Sequence, residues 1–229
     1  YQVVMTRDTD NFIALQDRVR IANRHNNAIF ISIHFNDGGS SARGVETFTL
    51  APAGTSSSMS RNIRHDALQG NAQDSMNIAL ATAVQGHMLK GPLAIKEGIS
   101  MVDRGIKRAR YSVLCTIKHP AILVEGGFMS NPQEALLIAT ERYQNFMASS
   151  LAAAVDFMNG KGKYGTGVQA GVVPCTPDGI NSGMFQQQQF VFPVRVFLMG
   201  PDQLFLEPQG FLIICQAGNA DDVHAAEGR

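Results

Sequence analysis

The chain reads as an α/β protein: a mostly parallel sheet flanked by helices. Two observations predict this. Short runs rich in β-branched residues alternate with stretches whose apolar residues recur at helical spacing. The strand-like runs are also nearly all apolar, as expected where helices cover both faces of a sheet.

The elements follow in order. Gln2 to Thr6 is an apolar, strand-like start. Phe12, Leu15, Val19 and Ala22 share one helical face, with Asp10 placed to cap the first turn. Ala28 to His34 (Ala-Ile-Phe-Ile-Ser-Ile-His) has the composition of a buried strand, and Val45 to Leu50 reads as a shorter, more polar one. Met76, Ala79, Leu80, Ala83, Val84 and Met88 form a second helical stripe. Ala121 to Val124, entered through Pro120, is the next buried strand. Asn131-Pro132-Gln133-Glu134 supplies an N-cap, a proline at the first helical position and a glutamate three residues past the cap. A helix starting there is expected to continue through the stripe from Tyr143 to Met158.

Composition changes near Asn159. Of the 22 glycines, eleven precede it and eleven follow, although the second part is less than half as long. The boundary is drawn at Gly160-Lys161-Gly162-Lys163, giving a domain over 1–158 and an unassigned tail over 159–229. Within the tail, Phe190 to Phe197, Leu204 to Leu206 and Phe211 to Ile214 are apolar but broken by Pro and Gly; a small β-rich hairpin, packing on the domain and irregular structure all stay open.

Nineteen Lys plus Arg balance nineteen Asp plus Glu in 229 residues, which argues against a generally basic nucleic-acid binder. No apolar stretch approaches the roughly 18 to 20 residues that cross a bilayer. Cys115, Cys175 and Cys215 lie far apart and are expected to be buried thiols. The chain opens on Tyr1 and runs at once into a strand, so the native start, and any signal peptide with it, is expected to lie upstream.

Chemistry is expected at the strand ends. His34 closes one apolar run and Glu125 the other, and in parallel sheets the ligand crevice lies beyond the carboxyl ends of the strands. Asn36-Asp37-Gly38-Gly39 and Gly126-Gly127 follow them, and backbone this small can let a substrate approach. His25, His65, His87, His119 and His224 show no ligand-pair spacing; His87 reads as packed core. Arg104, Lys107, Arg108 and Arg110 form a basic run, read as a solvated helix start or turn, or as partners for substrate carboxylates and sugar hydroxyls. Glu46 reads as a strand surface residue, and Arg7 as part of a turn. Nucleophile elbows, phosphate loops and dinucleotide fingerprints are missing.

These blocks resemble a known family. Thr6 to Asp10, Leu15 and Arg18 with Ile21-Ala22-Asn23, Ser32-Ile33-His34-Phe35-Asn36, Gly105 to Ala109, and Val124-Glu125-Gly126-Gly127-Phe128-Met129-Ser130-Asn131 are similar, in order and approximate spacing, to the zinc-dependent N-acetylmuramoyl-L-alanine amidases. The resemblance covers residues 1 to 158. It implies hydrolysis of the amide between N-acetylmuramic acid and L-alanine in peptidoglycan, with Zn2+ as cofactor, His34 as a metal ligand and Glu125 as the catalytic residue. It also implies a periplasmic, envelope or extracellular location.

Members of that family carry a further histidine in a Gly-His-Gly-Gly turn and a zinc-binding glutamate, both upstream of the block where this chain begins. The first strand and helix of the family fold are therefore expected to be missing. Two rival readings follow: an inert peptidoglycan-binding or scaffold protein of the same fold, and another metal-dependent amidohydrolase of similar build.

Overall fold

The computed structural model describes residues 2–9, 11–58, 69–159 and 211–216. In chain order the elements are β1 (Gln2–Met5), α1 (Leu15–Ala22), β2 (Ala28–Asn36), β3 (Val45–Leu50), α2 (Asp74–Lys90), α3 (Pro92–Glu97), β4 (Asp103–Ala109), α4 (Ser112–Cys115), β5 (Ala121–Phe128), α5 (Pro132–Ile138), α6 (Glu141–Met158) and β6 (Phe211–Gln216). They build one six-stranded sheet in the order β1-β6-β2-β5-β3-β4. β1, β6, β2 and β5 run parallel, β3 is antiparallel to β5, and β4 is parallel to β3. The carboxyl ends of β2 and β5 therefore lie beside the amino ends of β3 and β4.

Helices cover both faces, as the apolar strands require. On one face Ile31, Val45, Ile122 and Val124 pack with Leu80, Val84 and Met88 of α2 and Phe146, Leu151 and Val155 of α6. On the other, Phe30, Phe48 and Leu123 pack with Val19 and Ala22 of α1 and Val113 and Leu114 of α4. Because side chains alternate across a strand, Ser32 and His34 share the face of Phe30, Glu125 that of Leu123, and Glu46 that of Phe48.

Several local expectations are corrected. The first helix starts at Leu15 rather than near Phe12, which is exposed; its N-cap position is Ala14, without a side-chain cap, and Asp10 lies outside the described residues. The long third helix is two. α5 is capped by Asn131, whose side chain accepts from the backbone N–H groups of Gln133 and Glu134, and α6 begins anew at Thr140, whose hydroxyl accepts from Tyr143 N–H. Arg104, Lys107 and Arg108 of the basic run lie on strand β4 rather than in a helix start or turn, and Arg110 follows just past its end. Cys115 is exposed rather than buried; Cys175 lies outside the described residues, as does the 160–163 boundary segment. From the tail, β6 enters the sheet between β1 and β2, while the runs from Phe190 to Leu206 lie outside what is described. Among the described residues, no helix is long and apolar enough to cross a membrane.

Candidate active site

His34 and Glu125 are register partners on adjacent parallel strands, at the carboxyl ends where the sequence places them. Glu125 is at the same time the direct antiparallel partner of Glu46 on β3. An imidazole and two carboxylates thus form a row across three strands on one face. All three are buried, at 6 %, 3 % and 1 % exposure.

Their immediate partners are polar. The Ser32 hydroxyl lies 3.0 Å from His34 Nε2. Burial, and then the positive charge of the buried Arg18 on α1, lower the His34 pKa to about 3, so the ring is neutral throughout the physiological range. Glu125 is shifted the other way. Its carboxyl is raised well above the ordinary value, first by burial and then by the neighbouring Glu46 carboxylate, with Lys107 opposing. Glu125 Oε2 has no hydrogen-bond partner among the described residues. A buried carboxyl oxygen left unpaired is costly, and groups shifted this far concentrate where protons are moved.

Glu46 is the residue that sequence reasoning misplaced. It is not a strand surface group. Its Oε1 accepts from Asn36 Nδ2 at 2.7 Å, and its Oε2 accepts from Arg104 Nε at 2.7 Å and Lys107 Nζ at 2.5 Å. The other two members of the basic run serve structure. Arg108 bonds Asp74 and the Leu50 carbonyl, and Arg110 gathers the carbonyls of Pro52, Thr55 and Gln69.

The glycines after Glu125 answer to the protein itself rather than to a substrate. A Cβ on Gly126 would sit 2.7 Å from Met147 Sδ, and Gly127 adopts φ +146°, a value that L side chains rarely take. Below them the Tyr143 hydroxyl donates to the Gly126 carbonyl. Glu134 does not close a reciprocal capping box. Its Oε1 accepts from Gly44 N–H at 2.8 Å and its Oε2 from Phe128 N–H at 2.9 Å, joining the residue before β3 to the end of β5.

The remaining histidines stay apart from this row. His87 is core, its ring tilted against Phe157 at 6.4 Å, and His119 bonds the Ala22 carbonyl. His25 is half-buried in the turn after α1, and His65 and His224 lie outside the described residues. Among the described residues, no group of three or more His, Cys, Asp or Glu is arranged to hold a metal ion. His34 offers one imidazole, but Glu46 is committed to two cations and an amide. The described residues alone therefore do not make a three-ligand zinc site.

Comparison with known proteins places these observations. The chain is similar to the N-acetylmuramoyl-L-alanine amidase AmiA of Escherichia coli (strain K12), with 32% identity over an alignment of 170 positions that covers 66% of this chain and 58% of AmiA. It is also similar to the endolysin of Bacillus phage SPP1, with 32% identity over 186 residues, 79% of this chain and 57% of the endolysin. The chain thus spans somewhat under three fifths of the length of these relatives. Among solved structures, the N-acetylmuramoyl-L-alanine amidase from Clostridium difficile 630 aligns with TM-score 0.54 and 30% identity over 70% of this chain and 74% of that one. The catalytic domain of CwlV from Bacillus (Paenibacillus) polymyxa var. colistinus aligns with TM-score 0.52 and 27% identity over 69% and 73%. The family described as N-acetylmuramoyl-L-alanine amidase matches residues 1–156, a span that holds His34, Glu46, Arg104, Lys107 and Glu125, and the chain belongs to that family.

Proposed function

We propose that this protein acts on peptidoglycan in the cell envelope, hydrolysing the amide between N-acetylmuramic acid and L-alanine in a zinc-dependent reaction. The observation that carries the reading is the in-register pair of His34 and Glu125 at the carboxyl ends of β2 and β5, inside the span matched by the family. His34, neutral and buried, is assigned as one zinc ligand; the others must come from outside the described residues. Zinc bound there supplies Lewis acidity.

Glu125 is assigned the proton work. With its carboxyl raised and one oxygen unpaired, it takes a proton from the attacking water and passes it to the leaving nitrogen. The elements of water end as a carboxylate on the muramyl side and a free amine on L-alanine. Electrostatics sets the pH limb: a base must be ionised, so activity rises with pH through a value above the ordinary carboxylate range.

The second reading, an inert peptidoglycan-binding protein of the same fold, is favoured by the incomplete ligand set among the described residues. Incubation with purified peptidoglycan decides between them. Release of new alanine amino groups, abolished by His34→Ala together with the bound zinc and lowered about 100- to 10,000-fold by Glu125→Gln with zinc retained, supports the hydrolase. Co-sedimentation with insoluble peptidoglycan without amine release establishes the inert reading. Turnover on simple amides but not on muropeptides points to a different amidohydrolase.

A further inference from the structure

We propose that Arg104 is a carboxylate-recognition residue, which reads an acidic group on the peptide side of the scissile amide. This deepens the peptidoglycan reading above and rests on it.

Geometry carries the argument. Arg104 stands at the start of β4, beside the carboxyl ends of β2 and β5. Two contacts fix its guanidinium plane: Nε donates to Glu46 Oε2 at 2.7 Å, and Cζ stacks 4.7 Å from the centre of the Phe128 ring. The other edge, Nη1 and Nη2, makes no hydrogen bond among the described residues, and the side chain is 34% exposed. An arginine held this way presents its fork without first having to order it, and that fork matches a carboxylate. Phe128 lies three residues past Glu125, and Glu46 directly opposes Glu125, so both groups that hold Arg104 neighbour the proposed proton carrier along the strands.

Charge points the same way. One carboxylate, Glu46, serves two cations, Arg104 and Lys107. Lys107, only 14% exposed and lying 5.7 Å from the centre of the Phe48 ring, is consumed in holding Glu46. Of the two cations, Arg104 is the more exposed, at 34% against 14%. An anionic group arriving there meets a donor pair already desolvated on one face by Phe128. Arg108 and Arg110, by contrast, spend their forks on the protein's own Asp74 and backbone carbonyls.

The test measures binding by calorimetry on the full chain. The probes are a muropeptide with a free carboxylate beyond the L-alanine and the same compound with that group converted to a primary amide. The wild type is expected to bind the acid about tenfold more tightly, and Arg104→Gln to bring the ratio close to one. Arg104→Lys keeps the charge but not the fork, and is expected to retain roughly a threefold preference. Glu46 keeps Lys107 and Asn36 as partners in both variants, so both are expected to fold, which thermal denaturation verifies. A wild-type ratio near one, absence of binding to either probe, or a preference that survives Arg104→Gln overturns the proposal. An intact preference without amide cleavage instead removes the hydrolase reading and leaves the subsite standing.

Discussion

Replacing Glu134 with alanine should loosen the frame that holds the site. Its two carboxylate oxygens each take one buried backbone donor, Gly44 N–H at 2.8 Å and Phe128 N–H at 2.9 Å. A hydrogen bond to a charged group is worth about 1.5–3 kcal/mol, so two set a range of about 3–6 kcal/mol. Partial relaxation and water entry reduce this, and the expected loss is about 3–5 kcal/mol. Set against a total of roughly 5–15 kcal/mol for a domain, that is a large fraction, and it corresponds to a drop in Tm of roughly 10 °C. The Asn131 cap survives, because it uses the Glu134 backbone N–H and not its side chain. Urea unfolding followed by circular dichroism is the assay, with an unchanged slope showing that the unfolded state is not altered. Glu134→Gln offers one acceptor oxygen and turns an amide –NH2 toward the other donor, so it should fall near alanine rather than near wild type. A loss below about 1 kcal/mol for Glu134→Ala would refute the claim that this carboxylate ties β3 to β5.

Two further outcomes are expected. His34, whose pKa falls from 6.5 in the unfolded chain to about 3, disfavours the charged ring, so its contribution to stability is full above pH 6.5 and is lost as pH falls toward 3. Its ring resonances should not titrate between pH 5 and 8 in an NMR experiment, and a midpoint near 6.5 would contradict the burial described. Gly44 adopts φ +111°, and a Cβ there would lie 2.4 Å from the Val102 carbonyl oxygen; Gly44→Ala should cost about 2 kcal/mol or more by chemical denaturation, and a neutral result would show that this loop relaxes freely.

What the sequence made legible was the part governed by local pattern. Ala28 to His34 and Ala121 to Val124 are apolar and β-branched enough to read as covered strands, and the residues closing them meet in register. β4 escaped because Asp103-Arg104-Gly105-Ile106-Lys107-Arg108-Ala109 carries four charges and a glycine in seven positions. The partners that make it a strand are remote: Glu46 is 58 and 61 residues from Arg104 and Lys107, and Asp74 is 34 from Arg108. Glu46 was misread for the same reason, since only its neighbours on β4 and β5 make a buried carboxylate tolerable. The break between α5 and α6 was signalled by Thr140, a residue suited to an N-cap that the apolar stripe on either side obscured.

The place of β6 has a consequence for how the molecule is assembled. Residues 211–216 separate residues 2–5 from residues 28–36, so β1 meets the sheet only through a strand that lies far downstream of both in the chain. Until that segment arrives, one flank of β2 exposes unpaired peptide groups, the kind of edge that recruits strands from other chains. Loop closure over some two hundred residues makes this a slow step compared with helix packing. Nascent-chain yield should therefore depend on chaperones during that interval, and C-terminal truncation should cost solubility before it costs chemistry.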